Sequence, residues 1–185
     1  MSETVASGPT DRVRELLLVV DGMQDLPYLG EAVDQRSHSL QTAALLAVAD
    51  AAPALIAAGL LHDVGYSPRV AQGCERLPHE AIAAGWLTGR VRPEVVRLVA
   101  AHVDAKRYLV AVEPGYLNGL SDASRRSLAR QGGPMGPAEV RAHDACPWWP
   151  DAVALRRADE AAKVPAAQVP DTEAYAEVVR PPGWH

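Results

Sequence analysis

Six histidines stand in this chain, His38, His62, His79, His102, His143 and His185, and His62 is followed directly by Asp63. Neighbouring residues on a helix project about 100° apart. An imidazole at 62 can therefore serve one metal ion while the carboxylate at 63 bridges to a second. A later aspartate, Asp159, completes the ordered set His38, His62-Asp63, His79, His102, Asp159. Six ligands, four imidazole and two carboxylate, suit two octahedral or near-octahedral iron or manganese ions and do not suit a closed tetrahedral zinc site. Arg156 precedes Asp159 by three residues and Lys163 follows it by four, so the three share a helix face. His143-Asp144 is a second dipeptide of the same kind. It is set aside because it runs into Cys146-Pro147-Trp148-Trp149-Pro150, a helix-breaking stretch, and would leave Asp159 unexplained. His185 is the last residue and is expected to be loose.

These ligands must be carried by helices. Thr10 caps a predicted helix over 11–20, closed by Asp21-Gly22-Met23, and the segment from Leu26 to Gly30 reads as a loop or short turn. Helical apolar spacing runs over 37–50, and Pro53 opens a helix reaching His62-Asp63, stopped by Gly65 and Pro68. Pro78 opens the next, to Leu87, and Pro93 another, to about Tyr108. Short helices are expected over 114–120 and 121–130, the second closed by Gly132-Gly133-Pro134, and a strong one over 151–163. No stretch alternates with period two for long enough to be a strand, and no repeat is visible. The expectation is a single all-α domain over 1–185, with a loose tail over 1–9 and a surface-lying C-terminal tail over 165–185.

Composition agrees with closely packed helices. The 185 residues are 48% hydrophobic and 22% charged, with no Phe, so the apolar mass is mainly Ala, Leu and Val. A net charge of −5 argues against a general nucleic-acid binder, though not against a local cationic pocket for a small anion. Cys74 and Cys146 cannot form a disulfide framework, which points to a reducing compartment. The first ten residues lack the basic and apolar regions of a signal peptide, and the apolar stretch over 43–61 is broken by Asp50, Pro53 and Gly59. A cytoplasmic protein with no membrane span is expected. A monomer is plausible, and the sequence leaves the oligomeric state open.

The ordered ligand set matches the HD-domain signature, and the chain resembles the HD-domain mixed-valent diiron oxygenases. These include myo-inositol oxygenase and, more similar here, the phosphonate-cleaving oxygenases of the PhnZ type. The resemblance runs from about Tyr28 to Pro165. It is carried by Tyr28-Leu-Gly-Glu31, His38, His62-Asp63-Val-Gly, His79, His102-Val-Asp-Ala-Lys106, Gln131-Gly-Gly-Pro-Met135 and Leu155-Arg156-Arg157-Ala-Asp159-Glu-Ala-Ala-Lys163. It implies an HD helical bundle with a buried dinuclear site. One iron would be held by His38, His62 and Asp159, the other by His79 and His102, with Asp63 between them and no organic cofactor.

The same resemblance implies roles for the remaining residues. Tyr28 is similar to a tyrosine that closes the second iron until substrate arrives; its alternative is packing on the bundle. Glu31 is similar to the carboxylate that holds a substrate amine, or is a surface glutamate. Lys106 and Arg156, each near a ligand on the same helix, would neutralise a phosphonate. Ser124 would contact it too, with Ser121 and Ser127 as competitors, and Gln131 would lie on a loop over the pocket. Tyr66 stands where members of the aminophosphonate subgroup can carry a histidine, which leaves the substrate's substituents open. The implied reaction is dioxygen-dependent C–P cleavage of a small 1-hydroxyphosphonate, with 2-amino-1-hydroxyethylphosphonate, giving glycine and phosphate, as lead. Two other readings use the same ligand grammar. One is an HD phosphohydrolase, in which two metals activate water against a phosphate ester; the other is a degenerate HD module that only binds.

Overall fold

The computed structural model describes residues 9–28, 30–74 and 76–180. Most of the expected N-terminal tail and His185 lie outside them. The regular structure of the described residues is all helical, with no strand beyond a single bridge between Pro27 and Asp34. The helices are α1 (Pro9–Asp21), α2 (Gln35–Val48), α3 (Pro53–Leu61), α4 (Pro68–Ala71), α5 (His79–Leu87), α6 (Pro93–Val112), α7 (Tyr116–Gly119), α8 (Asp122–Arg130), α9 (Pro137–Asp144), α10 (Trp149–Ala161) and α11 (Ala176–Val179).

The site is framed by α2, α3, α5, α6 and α10. Helix α2 lies against α3 and α10, and α6 against α3, α5 and α10. Small residues make the first contact close. A Cβ placed on Gly59 of α3 would come 2.7 Å from Leu46 Cδ1 and 3.3 Å from the Ala43 backbone of α2. With Ala57 and Ala58 fully buried as well, this Ala/Gly seam draws His38 on α2 towards His62 at the end of α3. Leu16, Leu60, Leu61, Val99 and Leu155 fill the core around the site.

Capping sets where α2 starts. The Asp34 carboxylate accepts from the Ser37 backbone N–H at 2.6 Å, so the helix begins at Gln35, two residues before the expected start. The Gln35 N–H donates to the Leu26 carbonyl at 2.9 Å, closing the loop that carries Tyr28 and Glu31. The end of α10 is tied back to α2 by a reciprocal pair. Gln41 Nε2 donates to the Val164 carbonyl and the Val164 N–H to Gln41 Oε1, each at 3.0 Å.

The structure adds two features to the sequence reading. Helix α9 forms in a stretch for which no element was expected, because Pro137 sits in its first turn and the Glu139 carboxylate accepts from the Gly136 N–H at 2.7 Å. The C-terminal segment is more than surface-lying. A 3₁₀ turn over Thr172–Tyr175 and α11 insert Tyr175 and Val179, four residues apart, into the core beside α1 and α3. Among the described residues, no helix is long and apolar enough to cross a membrane.

Candidate metal centre

The six expected ligands converge from five separate stretches of backbone as two adjoining triads. His38, His62 and Asp159 form one, and Asp63, His79 and His102 the other. His38 is on α2, His62 just past α3, His79 at the start of α5, His102 in the middle of α6 and Asp159 on α10. Asp63 lies between the triads. Its Oδ2 is 3.5 Å from His62 Nε2 and 3.8 Å from His38 Nε2, while Oδ1 is 3.2 Å from His79 Nε2 and 3.7 Å from His102 Nε2. One oxygen thus faces each triad, as a bridging carboxylate requires.

The imidazoles are held from behind. Nδ1 of His38, His62 and His102 donates to the carbonyls of Ala162, Gly59 and Val99 at 2.9, 2.9 and 2.7 Å. Nδ1 of His79 faces Glu80 Oε2 at 3.0 Å. A carbonyl can only accept, so each of the first three rings carries its proton on Nδ1 and turns Nε2 inward, the form that ligates a metal. His38 Nε2 and His62 Nε2 then approach to 3.1 Å, and so do His79 Nε2 and His102 Nε2. Facing lone pairs at that distance need a cation between or beside them. Asp159 Oδ1 adds to the demand: it is buried with no hydrogen-bond partner, 3.3 Å from His38 Nε2. The donor set fits a pair of metal ions on these grounds.

Electrostatics point the same way. Burial alone would raise Asp63, yet the imidazoles of His62, His79 and His38 pull its carboxyl well below the usual range. Burial acts likewise on Asp159 and is overcome by Arg156, His38 and His62. Burial, with the neighbouring His79 and His62, pushes His102 down to about 3, so it is a neutral imidazole at ordinary pH.

Outside the ligands lies a cavity of about 270 Å³, lined among others by Tyr28, Glu31, Gln35, Tyr66, Lys106, Ser127 and Gln131. It is small for a ligand pocket. The two tyrosines stack on one imidazole each, Tyr28 on His38 with ring centroids 4.2 Å apart and Tyr66 on His79 at 4.3 Å. Tyr28 thus lies against the first triad, where the resemblance had it at the His79/His102 ion, and the tyrosine beside that second triad is Tyr66. Burial, with Asp159 and Asp63 nearby, raises the Tyr28 phenol well above its ordinary value; burial and Asp63 raise Tyr66.

The two expected cations differ in availability. Lys106 is buried, faces the cavity and gives one hydrogen bond, to Ser127 Oγ at 2.7 Å. Arg156 also lines the cavity, but its guanidinium is committed to Asp159, Glu160, the Tyr116 hydroxyl and Ser124 Oγ. By holding Asp159 Oδ2 it leaves Oδ1 turned to the centre. Ser124 Oγ is engaged in turn, donating to Glu160 Oε2 at 2.8 Å and accepting from Lys163 at 2.9 Å. Glu31 lines the cavity with Oε1 ion-paired to Lys163 at 3.2 Å. Gln131 lines it with a buried, unpartnered Oε1.

Of the competing serines, Ser127 is the one that meets Lys106. Gln35, Glu80 and Glu160 were not singled out as site residues from the sequence; they depend on which elements meet. His143 and Asp144 lie apart from the centre on α9, Nδ1 of His143 bonding the Glu139 carbonyl and Asp144 accepting from the Tyr108 hydroxyl.

An all-α bundle whose core gathers two histidine/aspartate triads around one shared aspartate defines the HD-domain class. The HD-domain family model matches residues 36–137. The chain is 37% identical over 179 residues, 93% of it and 88% of the relative, to hydroxymethylphosphonate dioxygenase of Gimesia maris. It is 35% identical over 167 residues, 88% of it and 85% of the relative, to the glycine-betaine-forming 1-hydroxy-2-(trimethylamino)ethylphosphonate dioxygenase of Leisingera caerulea. The chain belongs to the HD-domain family, in its phosphonate dioxygenase branch.

Proposed function

We propose that this protein is an oxygenase that uses a mixed-valent pair of iron ions to cleave the C–P bond of a small 1-hydroxyphosphonate. The observation that carries the reading is Asp63, with one carboxylate oxygen towards each triad. His38, His62 and Asp159 would hold one iron, His79 and His102 the other, and Asp63 both. The iron pair supplies electron exchange with dioxygen and Lewis acidity towards the hydroxyl and phosphonate oxygens. In the net reaction, dioxygen and a hydroxyphosphonate give a carboxylic acid and phosphate. For hydroxymethylphosphonate these are formate and phosphate; for the lead substrate, 2-amino-1-hydroxyethylphosphonate, glycine and phosphate.

The protein's own part is placement. Lys106 presents an ammonium to the phosphonate with Ser127 steadying it, and neutralises charge where bulk water cannot. Arg156 fixes Asp159 through Oδ2, and the backbone carbonyls behind His38, His62 and His102 fix the rings. Tyr28 and Tyr66 wall the cavity, Tyr28 as a side chain that substrate can displace. The cavity, at about 270 Å³, suits a small substrate.

The test is phosphate release by anaerobically iron-loaded protein, with and without dioxygen, from hydroxymethylphosphonate, 1-hydroxyethylphosphonate and 2-amino-1-hydroxyethylphosphonate. Release from at least one of them that requires dioxygen is expected. Release from a phosphate ester that persists without dioxygen would give the protein to the phosphohydrolases.

A further inference from the structure

Two glutamines, Gln35 and Gln131, line the cavity with a buried amide oxygen that has no partner, and Gln35 is the one on the loop side, at the start of α2. Gln35 is 4% exposed and its Oε1 is buried with no partner. It lines the cavity beside Tyr28 and Glu31. Its backbone N–H closes the loop carrying those two, so the amide stands at the root of that loop. A buried acceptor without a partner is destabilising, and the fold has no structural reason to carry one at the first position of α2. Leu or Met would fill the space and support the helix as well.

The neighbouring carboxylate is only half available. Glu31 turns Oε1 to Lys163, whose ammonium also donates to Ser121 Oγ, Ser124 Oγ and Glu160 Oε1 and is not part of the cavity wall. An ammonium entering the cavity carries up to three N–H donors and meets a Glu31 carboxylate already shared with Lys163. A neutral acceptor beside it supplies what the Lys163 pairing takes away.

Resting on the oxygenase reading above, we infer that Gln35 is a substrate-binding residue: its amide oxygen accepts an N–H from an ammonium on the carbon next to C1, and together with Glu31 it selects a substrate with a protonated amine. A trimethylammonium group has no N–H and cannot use this acceptor. At the other end of the substrate, the phosphonate meets Lys106 and Ser127.

The experiment compares wild type with Gln35→Met, close in length and without the amide, and with Gln35→Glu, which keeps an acceptor and adds charge. Anaerobic calorimetry on iron-loaded protein gives Kd for 2-amino-1-hydroxyethylphosphonate and for 1-hydroxyethylphosphonate, which differ only in the amine. The melting temperature of each metal-free variant is measured alongside. Gln35→Met should weaken the amine-bearing ligand by about tenfold or more and leave the other within about twofold. It should also leave the melting temperature unchanged or raised, because an unsatisfied buried amide has been removed. Gln35→Glu should restore or strengthen the preference for the amine. Equal weakening of both ligands, or a clear fall in melting temperature on Gln35→Met, overturns the assignment and makes the amide structural. Wild type that binds neither ligand and releases no phosphate with dioxygen overturns the oxygenase reading itself, and that outcome is visible before any variant is made.

Discussion

At the residue scale, neighbouring charges give side chains of similar type different tasks. Burial, with Arg156 beside it, lowers the Lys106 ammonium to about 8, against the pull of Asp159, Glu160 and Asp63. The group is cationic below that pH and neutral above it. KM for the phosphonate should therefore rise as pH passes about 8, with kcat less affected, and Lys106→Arg should remove that limb because a guanidinium does not titrate there. A limb that survives in the arginine variant assigns it to another group. Arg156 sits within a buried network, bonded to Asp159 and Glu160. Arg156→Met takes the guanidinium away from buried Asp159, while Glu160 keeps Lys163, and should destabilise the fold by ~3–5 kcal/mol, read as a fall in the urea midpoint. A change below 1 kcal/mol would show that the network contributes little. The six candidate ligands were legible in the sequence because their chemistry is restricted to a few residue types in a fixed order. The partners of Ser124 and Glu31 were not. Glu160 near the end of α10 and Lys163 just past it reach them, and no spacing along the chain records that α8 and the Tyr28 loop pack there.

At the element scale, the site depends on close approach between short helices. A Cβ on Gly65 would lie 2.0 Å from the His79 carbonyl oxygen and 3.1 Å from the Ala83 backbone nitrogen. The turn after Asp63 can rest on the start of α5 only without a side chain there. Gly65→Ala should cost ~1–3 kcal/mol of stability, as overpacking does, and should loosen the ion next to His79 more than its neighbour. Metal titration of the variant by calorimetry separates the two: one site weakened and one kept is expected, and two unaltered sites would contradict the placement. Prolines at helix starts made α3 and α6 readable to within a residue at the N-terminus. Helix α9 carried the same signal in Pro137, obscured by the Gly-Gly-Pro run before it, and α11 is too short for any periodicity to declare it. What buries Tyr175 and Val179 is tertiary packing on α1 and α3, which lies outside the local sequence.

At the scale of the whole molecule, the five stretches that meet at the centre bring imidazole lone pairs to 3.1 Å of one another, and bound metal should stabilise that convergence. With free iron at a hundredfold excess over Kd, binding stabilises the folded state by about 2.7 kcal/mol per site, or ~5–11 °C in melting temperature for a chain of this size. Chelation should reverse that shift, and a melting temperature indifferent to metal would mean that the triads are satisfied without it. The central claim is that one carboxylate, Asp63, joins two ions in one bundle. Metal analysis combined with Mössbauer spectroscopy of anaerobically reconstituted protein tests it most directly. The account predicts two irons per chain, one for each triad, with the spectrum of a magnetically coupled pair. A stoichiometry that stays at one, or two irons with uncoupled spectra, would contradict it.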